Sequence, residues 1–258
     1  MSKDTDIKEF WRDRGEKYGS SCKATLRETT VRYAEIRILK KYLRDGQEIV
    51  DIGWGNGFST IQWAKSIKSD FLGIDCVPEM IDLAHNEFER DKLSLRGRLE
   101  FQIADVTRLE LNRTSFDIAI TERCLQNLTC FTEQLNAIKS ICGILKNEGL
   151  FLMLECSKTA VDKINNFLKK MRRHPIHPIP WHNIFFEDEI LIQNVEAKTK
   201  LRLMKIDNFA SNYIFTTRVL PSLLRKMLFK LRLGEALWKV PQIGNWGYFK
   251  LYVWKKTS

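Results

Sequence analysis

Two spacings of apolar residues alternate along the chain. Stretches with apolar positions three and four apart, the mark of a helix packed on one side, are separated by short unbroken apolar runs that fit strands buried on both faces. Helical spacing predicts a helix over residues 5–18 (Ile7, Phe10, Trp11, Arg14, Tyr18) and, after the polar link Gly19-Ser20-Ser21, a second through Leu26, Tyr33, Ile36, Leu39, Tyr42 and Leu43 that stops at Asp45-Gly46. The first strand is then Ile49-Val50-Asp51-Ile52, broken by Gly53, Gly55 and Gly57, with helical spacing resuming from about Asn56 through Ile61, Trp63, Ala64 and Ile67. Strands follow at 71–74, 99–103, 116–120 and 149–154, with helices marked by Met80, Ile81, Ala84 and Phe88 and by the run from Phe131 to Leu145. Regular alternation of strand and helix predicts a parallel, doubly wound sheet.

Beyond residue 156 the pattern changes. A helix through Val161, Ile164, Phe167, Leu168 and Met171 is ended by His174-Pro175, and the prolines at 178 and 180 keep His177 to Asn183 extended. A helix at 187–195, a strand at 201–206 and a last strand at 248–254 complete the chain. About 40 residues separate those two strands, too many for a hairpin, which predicts a helical insertion. Residues 1–258 read as one domain: helices capping a pocket (1–45), a cofactor-binding core (46–156), then lid, insertion and last strands (157–258).

Charge changes this picture in one respect. Residues 157–258 carry 19 Lys/Arg against 7 Asp/Glu, whereas the first 156 carry 23 against 25. A basic half fits nucleic acid, an acidic membrane surface, an anionic small substrate or a plain solvated face. Leu223, Leu224, Met227, Leu228 and Leu231, with Arg225, Lys226, Lys230 and Arg232 beside them, would lie on an anionic membrane or pack on the sheet, so peripheral membrane contact stays open. No apolar run reaches the length of a membrane span, and Met1–Glu9 is charged where a secretory leader would be apolar, so the expected location is cytoplasmic. Six scattered cysteines without a C-x-x-C fit reduced thiols. His174, His177 and His182 have a ligand-like spacing, but the intervening prolines prevent one converging helical face, and no metal is expected.

The chemistry sits at the strand ends. Glycines at 53, 55 and 57 let the backbone lie against a ligand with no Cβ between, and the helix that follows aims free N–H groups at the same spot. Asp51, Asp75 and Asp105 close or follow the first three strands, and a carboxylate at the second strand's end can accept from both hydroxyls of a ribose. A nicotinamide dinucleotide would need a third glycine where Phe58 stands.

With this acid-x-Gly-x-Gly-x-Gly turn (Asp51, Gly53, Gly55, Gly57), the chain resembles the class I methyltransferases that use S-adenosylmethionine, over Gln47–Leu154 as motifs and over most of its length as layout. The resemblance implies a Rossmann-like, doubly wound α/β fold with a seven-stranded, mostly parallel sheet, N-terminal helices and a C-terminal helical insertion forming a lid. It implies S-adenosylmethionine as cofactor, held by Asp51, Gly53, Gly55, Asn56 and Gly57, with Asp75 on the ribose, Cys76 and Met80 flanking the adenine and Asp105 beside Val106 near its amino group. Phe10–Gly19, Thr121–Leu128 and Pro180–Phe186 look like a bacterial branch that modifies small polar acceptors in glycan or secondary-metabolite pathways. Trp54, where many relatives carry something small, is the departure.

Arg32 is the candidate for the carboxylate of the cofactor's methionine, because a guanidinium fits a carboxylate bidentately; a surface arginine is the plain alternative. Glu122, with Arg123 and Asn127, falls where cofactor and acceptor would meet, against an ion pair or helix cap as the plain alternative. His182 and Glu122 are the candidate bases, His182 because an unperturbed imidazole titrates near neutrality. Candidate acceptor contacts are Arg14, Tyr18, Arg123, Asn127, His177, Trp181, His182 and Arg218, the arginines as clamps for a phosphate or carboxylate. The expected reaction is O- or N-methyl transfer to a small polar, anionic acceptor. A nucleic-acid methyltransferase is disfavoured because Thr121-Glu122-Arg123-Cys124 replaces the Asn/Asp-Pro-Pro-aromatic motif; a non-catalytic cofactor-binding or membrane-associated protein is the other alternative.

Overall fold

A computed structural model describes residues 3–19, 21–26, 28–111, 115–176, 180–221, 237 and 240–258. Seven strands, β1 (Glu48–Ile52), β2 (Asp70–Asp75), β3 (Arg98–Ile103), β4 (Phe116–Glu122), β5 (Leu145–Cys156), β6 (Leu201–Asp207) and β7 (Phe249–Lys256), form one sheet in the order β3-β2-β1-β4-β5-β7-β6. Strands β1 to β5 pair in parallel, and β7 runs antiparallel to both its neighbours. Helices α1 (Lys3–Tyr18), α2 (Thr29–Lys40), α3 (Phe58–Ala64), α4 (Pro78–Asp91), α5 (Phe131–Ile144), α6 (Lys158–Lys170), α7 (Asp188–Lys198) and the short α8 (Ser211–Ile214) supply the connections. Both sheet faces are covered: Ile49, Ile118, Ile120 and Leu152 pack into one apolar layer, and Val50, Ile52, Ala119 and Phe151 into the other. Two covered faces explain why these strands read as unbroken apolar runs.

The strand order reverses at β1 and β4, and connections leaving the sheet in opposite directions open a crevice at the carboxyl ends of these strands. The glycine turn lies at that edge. Gly53, Gly55 and Gly57 all have left-handed φ (71°, 60° and 75°), which side chains disfavour, and the N–H groups of Gly53 and Trp54 both donate to Ile74 O at the end of β2. Helix α3 starts at Phe58, two residues later than the spacing predicts, because Gly57 is its cap in the left-handed conformation.

Trp54 is explained by a residue distant in sequence. Its indole is buried and lies against Gly57 and Gly73, where an added Cβ would sit 2.5 Å from Cζ2 and 1.7 Å from Cε3, and it meets Phe101 edge-on at 4.6 Å. Gly73 in β2 is therefore the space into which the indole fits. Gly73→Ala should cost about 1–3 kcal/mol through overpacking, read as a lower urea midpoint with an unchanged slope.

Four other elements differ from the pattern. Tyr33 is 57% exposed, whereas Val31, Glu35 and Leu39, one turn apart, are buried, so the inward arc of α2 includes a charged residue. β5 starts at Leu145 directly after α5, and β7 continues to Lys256. The insertion begins with α8 and a π-helical turn at Phe215–Val219, whereas the amphipathic stretch from Leu223 to Arg232 lies outside the described residues, as does His177. Among the described residues, no helix is long and apolar enough to cross a membrane.

Candidate active site

Two adjoining cavities open at the carboxyl edge of the sheet. The smaller, about 340 Å³, is lined by Gly53 and Gly55 of the turn, Asp75, Cys76 and Met80 after β2, Asp105 and Val106 after β3, and Glu122, Arg123 and Asn127 after β4. Ile7, Lys8 and Trp11 of α1 and Thr25 close its other side. The larger, about 740 Å³, is lined by Phe10, Trp11 and Arg14 of α1, Trp181 and His182, Arg218 and Tyr248, among others. Trp11, Thr25 and Arg123 line both, so these three form the junction between them.

In the smaller cavity, the acids at the strand ends have unequal roles. Asp75 accepts from Gly55 N–H (2.8 Å) on one oxygen and from Val77 N–H (2.9 Å) on the other, which fixes the plane of its carboxylate at the wall. Burial raises its pKa, against the lowering by those N–H donors. Asp105 accepts from the N–H and hydroxyl of Thr107 (2.8 and 2.7 Å), an Asx turn that shapes the loop. Asp51 is turned inward: Thr60 donates to it, and burial pushes its pKa up to about 7, with Glu122 adding to the rise. Asn56 Nδ2 ties the turn to the link after α1, donating to Gly19 O and Ser21 O (2.9 Å each). Asp51, Asn56 and Gly57 therefore build the turn without lining the cavity.

Arg32 corrects both readings of it. It is neither a surface residue nor part of the cavity wall: it is buried on α2, and Nη1 donates to Glu122 (2.6 Å) and more weakly to Glu35 (3.4 Å). Arg123 is buried with left-handed φ (56°), its N–H on Leu154 O (2.7 Å) and its guanidinium forked onto Glu35 (3.0 and 3.2 Å), with Nη1 on Thr25 O (3.1 Å). Two arginines and two glutamates thus form a charge-balanced chain, Glu122–Arg32–Glu35–Arg123, joining α2 to the end of β4. Glu35 is absent from the residues the sequence reading singles out.

The clamp arginines are likewise engaged. Arg14 donates to Ala24 O (2.6 Å) and Lys23 O, and Arg218 pairs with Glu28 at 2.5 Å. Tyr18 serves α1, its ring 4.9 Å from the Arg14 guanidinium, and lines neither cavity. Asn127 lines the smaller cavity, where its amide accepts from Asn183 (2.6 Å) and donates to Arg123 O (2.9 Å). His182 is packed among rings: Phe10 at 4.3 Å, Trp181 at 5.3 Å and Trp11 at 5.7 Å. Burial, with the Arg14 charge nearby, lowers its pKa to about 4, which overturns the expectation of an imidazole titrating near neutrality.

Behind the junction, Glu155 of β5 accepts from the N–H groups of Cys124, Leu125 and Gln126 (3.1, 2.9 and 3.3 Å) and holds the loop that carries Arg123. Only the three-dimensional fold brings it there.

Residues 43–209 match the family described as Methyltransferase domain, and the chain belongs to it. Human EEF1A lysine methyltransferase 2 is 27% identical over 124 residues, covering 46% of this chain and 51% of the relative. Carboxy-S-adenosyl-L-methionine synthase of Nautilia profundicola is 31% identical over 136 residues, covering 52% and 55%. The chain thus spans about half the length of these curated relatives. Magnesium protoporphyrin IX methyltransferase (ChlM) from Synechocystis PCC 6803, solved with bound SAH, shares the fold at a TM-score of 0.63 with 11% identity, covering 98% of this chain and 99% of that one.

S-adenosylmethionine is the methyl donor of this family, and the smaller cavity fits it. Gly53 and Gly55 form a cradle with no room for a Cβ, which would lie 2.4 Å from Cys124 Sγ or 2.9 Å from Thr25 Cγ2. Asp75 adds a carboxylate fixed in its plane at the wall, and Met80 and Val106 add apolar surface beside it.

Proposed function

We propose that the protein transfers a methyl group from S-adenosylmethionine to the oxygen or nitrogen of a small-molecule acceptor held in the larger cavity. The observation that carries this reading is the shared wall of Trp11, Thr25 and Arg123, which places a cavity of acceptor size directly beside the cofactor cradle. When bound, the cofactor supplies a methyl group on a cationic sulfur that departs as a neutral thioether. Asp75 would hold the ribose, Cys76, Met80 and Val106 the adenine, and Asp105 its amino edge. Glu122, kept in place by Arg32, would face the methionine arm.

Positioning does most of the work in such a displacement. With its pKa near 4, His182 is neutral at physiological pH; its role is to accept a hydrogen bond from the acceptor and orient it, rather than to act as a strong base. Pro180 to Asn183 cover the larger cavity as a lid. The expectation of an anionic acceptor is weakened, because Glu35 and Glu28 already balance Arg123 and Arg218.

The test supplies isotopically methyl-labelled cofactor with fractionated cell extract. Label in a small molecule is the expected result, with a rate that shows no imidazole titration near pH 6.5. Label recovered in protein or nucleic acid would overturn the small-molecule reading.

A further inference from the structure

The larger cavity is lined by two chemically different groups of residues. Trp11 stands at the junction with the cofactor cradle, and Phe10 meets it edge-on (5.2 Å, 78°) and meets Trp181 likewise (5.9 Å, 85°), with the Arg14 guanidinium 5.9 Å from the Phe10 ring. Edge-to-face packing turns the rings in different directions, and a further ring adds favourably to such a cluster beyond the area it buries. Trp181 lines the cavity and is nevertheless 58% exposed, so a ligand that covers it removes apolar surface from water.

The second group is polar. Glu28 stands just before α2, and Arg218, in the π-helical turn, pairs with it and reaches Tyr248. π-turns recur at functional sites because the extra residue re-aims a side chain. These three line the larger cavity and not the cofactor cradle. A guanidinium already balanced by a carboxylate suits a group that both donates and accepts hydrogen bonds better than it suits a bare phosphate.

Resting on the methyltransferase reading above, we propose that the acceptor is a planar aromatic compound, its ring packed against Phe10, Trp11 and Trp181 next to the cofactor and its polar substituent directed to Glu28, Arg218 and Tyr248. A compact sugar phosphate would leave the Trp181 ring uncovered and meet Arg123 and Arg218 already balanced by Glu35 and Glu28.

The experiment titrates the protein, saturated with S-adenosylhomocysteine, with 3-hydroxy-2-naphthoate and separately with glucose 6-phosphate, by calorimetry. Binding of the naphthoate, weakened at least 5-fold by Trp181→Ala while S-adenosylhomocysteine affinity stays unchanged, is the expected result; Trp181 is exposed, so this variant should fold. Trp11→Ala provides a second reading at the junction. Tighter binding of glucose 6-phosphate, binding of neither probe, or naphthoate binding indifferent to Trp181→Ala would overturn the aromatic assignment and leave the methyltransferase reading standing. Failure of S-adenosylhomocysteine itself to bind would overturn both.

Discussion

Glu35→Ala is expected to destabilise the protein by about 3–5 kcal/mol, lowering the melting temperature by roughly 10 °C for a chain of this size. The carboxylate has no solvent exposure and accepts from Arg123 at 3.0 and 3.2 Å and from Arg32 at 3.4 Å. Burial raises its pKa, and the two guanidinium charges act against that rise, so its negative charge depends on them as theirs does on it. Removing it leaves a buried arginine at the cavity junction without its counter-charge. The left-handed backbone of Arg123 then loses its side-chain anchor, and methyl transfer should fall with stability. Replacing Glu35 and Arg123 together by methionine separates these effects. An apolar pair of similar volume should recover much of the stability without recovering activity. A wild-type melting temperature in Glu35→Ala would show that the charge chain does not hold α2 to the sheet.

The position of Glu35 shows where the sequence is readable and where it is not. Leu39 was legible as an inward residue of α2, but Glu35, one turn before it, was not, because the predicted arc ran through Tyr33 and a carboxylate reads as solvated. Nor was the partner of Glu35 legible, because Arg123 is 88 residues away and meets it only when β4 lies beside β1. The glycine turn and the acids at or just beyond the ends of β1, β2 and β3 were legible because strand, turn and helix are local. Which of them line the cavity was not: Asp51 and Asp75 both lie at strand ends, yet one turns inward to Thr60 and the other faces the ligand space.

Trp54 needed the β1–β2 register, which brings Gly73 under it. His182 was judged by its free-solution chemistry, whereas its properties come from Phe10 and Trp11, on the helix that opens the chain. Two of the clamp arginines illustrate the same point. The carboxylates that balance Arg123 and Arg218, Glu35 and Glu28, come from the N-terminal segment, whereas Arg14 donates to backbone carbonyls.

Asp75→Asn should weaken S-adenosylhomocysteine binding by about 100-fold or more, measured by calorimetry. Each carboxylate oxygen already accepts one backbone N–H and retains a second acceptor site, so two ribose hydroxyls can be bound without disturbing the turn. Hydrogen bonds to a charged acceptor contribute about 1.5–3 kcal/mol each, and 1.4 kcal/mol is tenfold in affinity, so the loss of one or two gives this magnitude. The amide also turns an NH₂ toward either Gly55 N–H or Val77 N–H, two donors facing one another, so a distorted turn is a second route to weaker binding besides the ribose. A ligand lacking the 2′-hydroxyl distinguishes the two causes. If Asp75 holds the ribose, wild type and variant should differ much less for the 2′-deoxy analogue than for the parent; if the turn is at fault, the gap should be the same for both ligands. Acidification supplies an independent check with a definite sign. Burial raises the pKa of Asp75, so a carboxylate proposed to accept these hydroxyls becomes protonated at a higher pH than an exposed aspartate would. Ligand affinity of the wild type should therefore decline on acidification before ordinary aspartates titrate, and Asp75→Asn should remove that component of the decline.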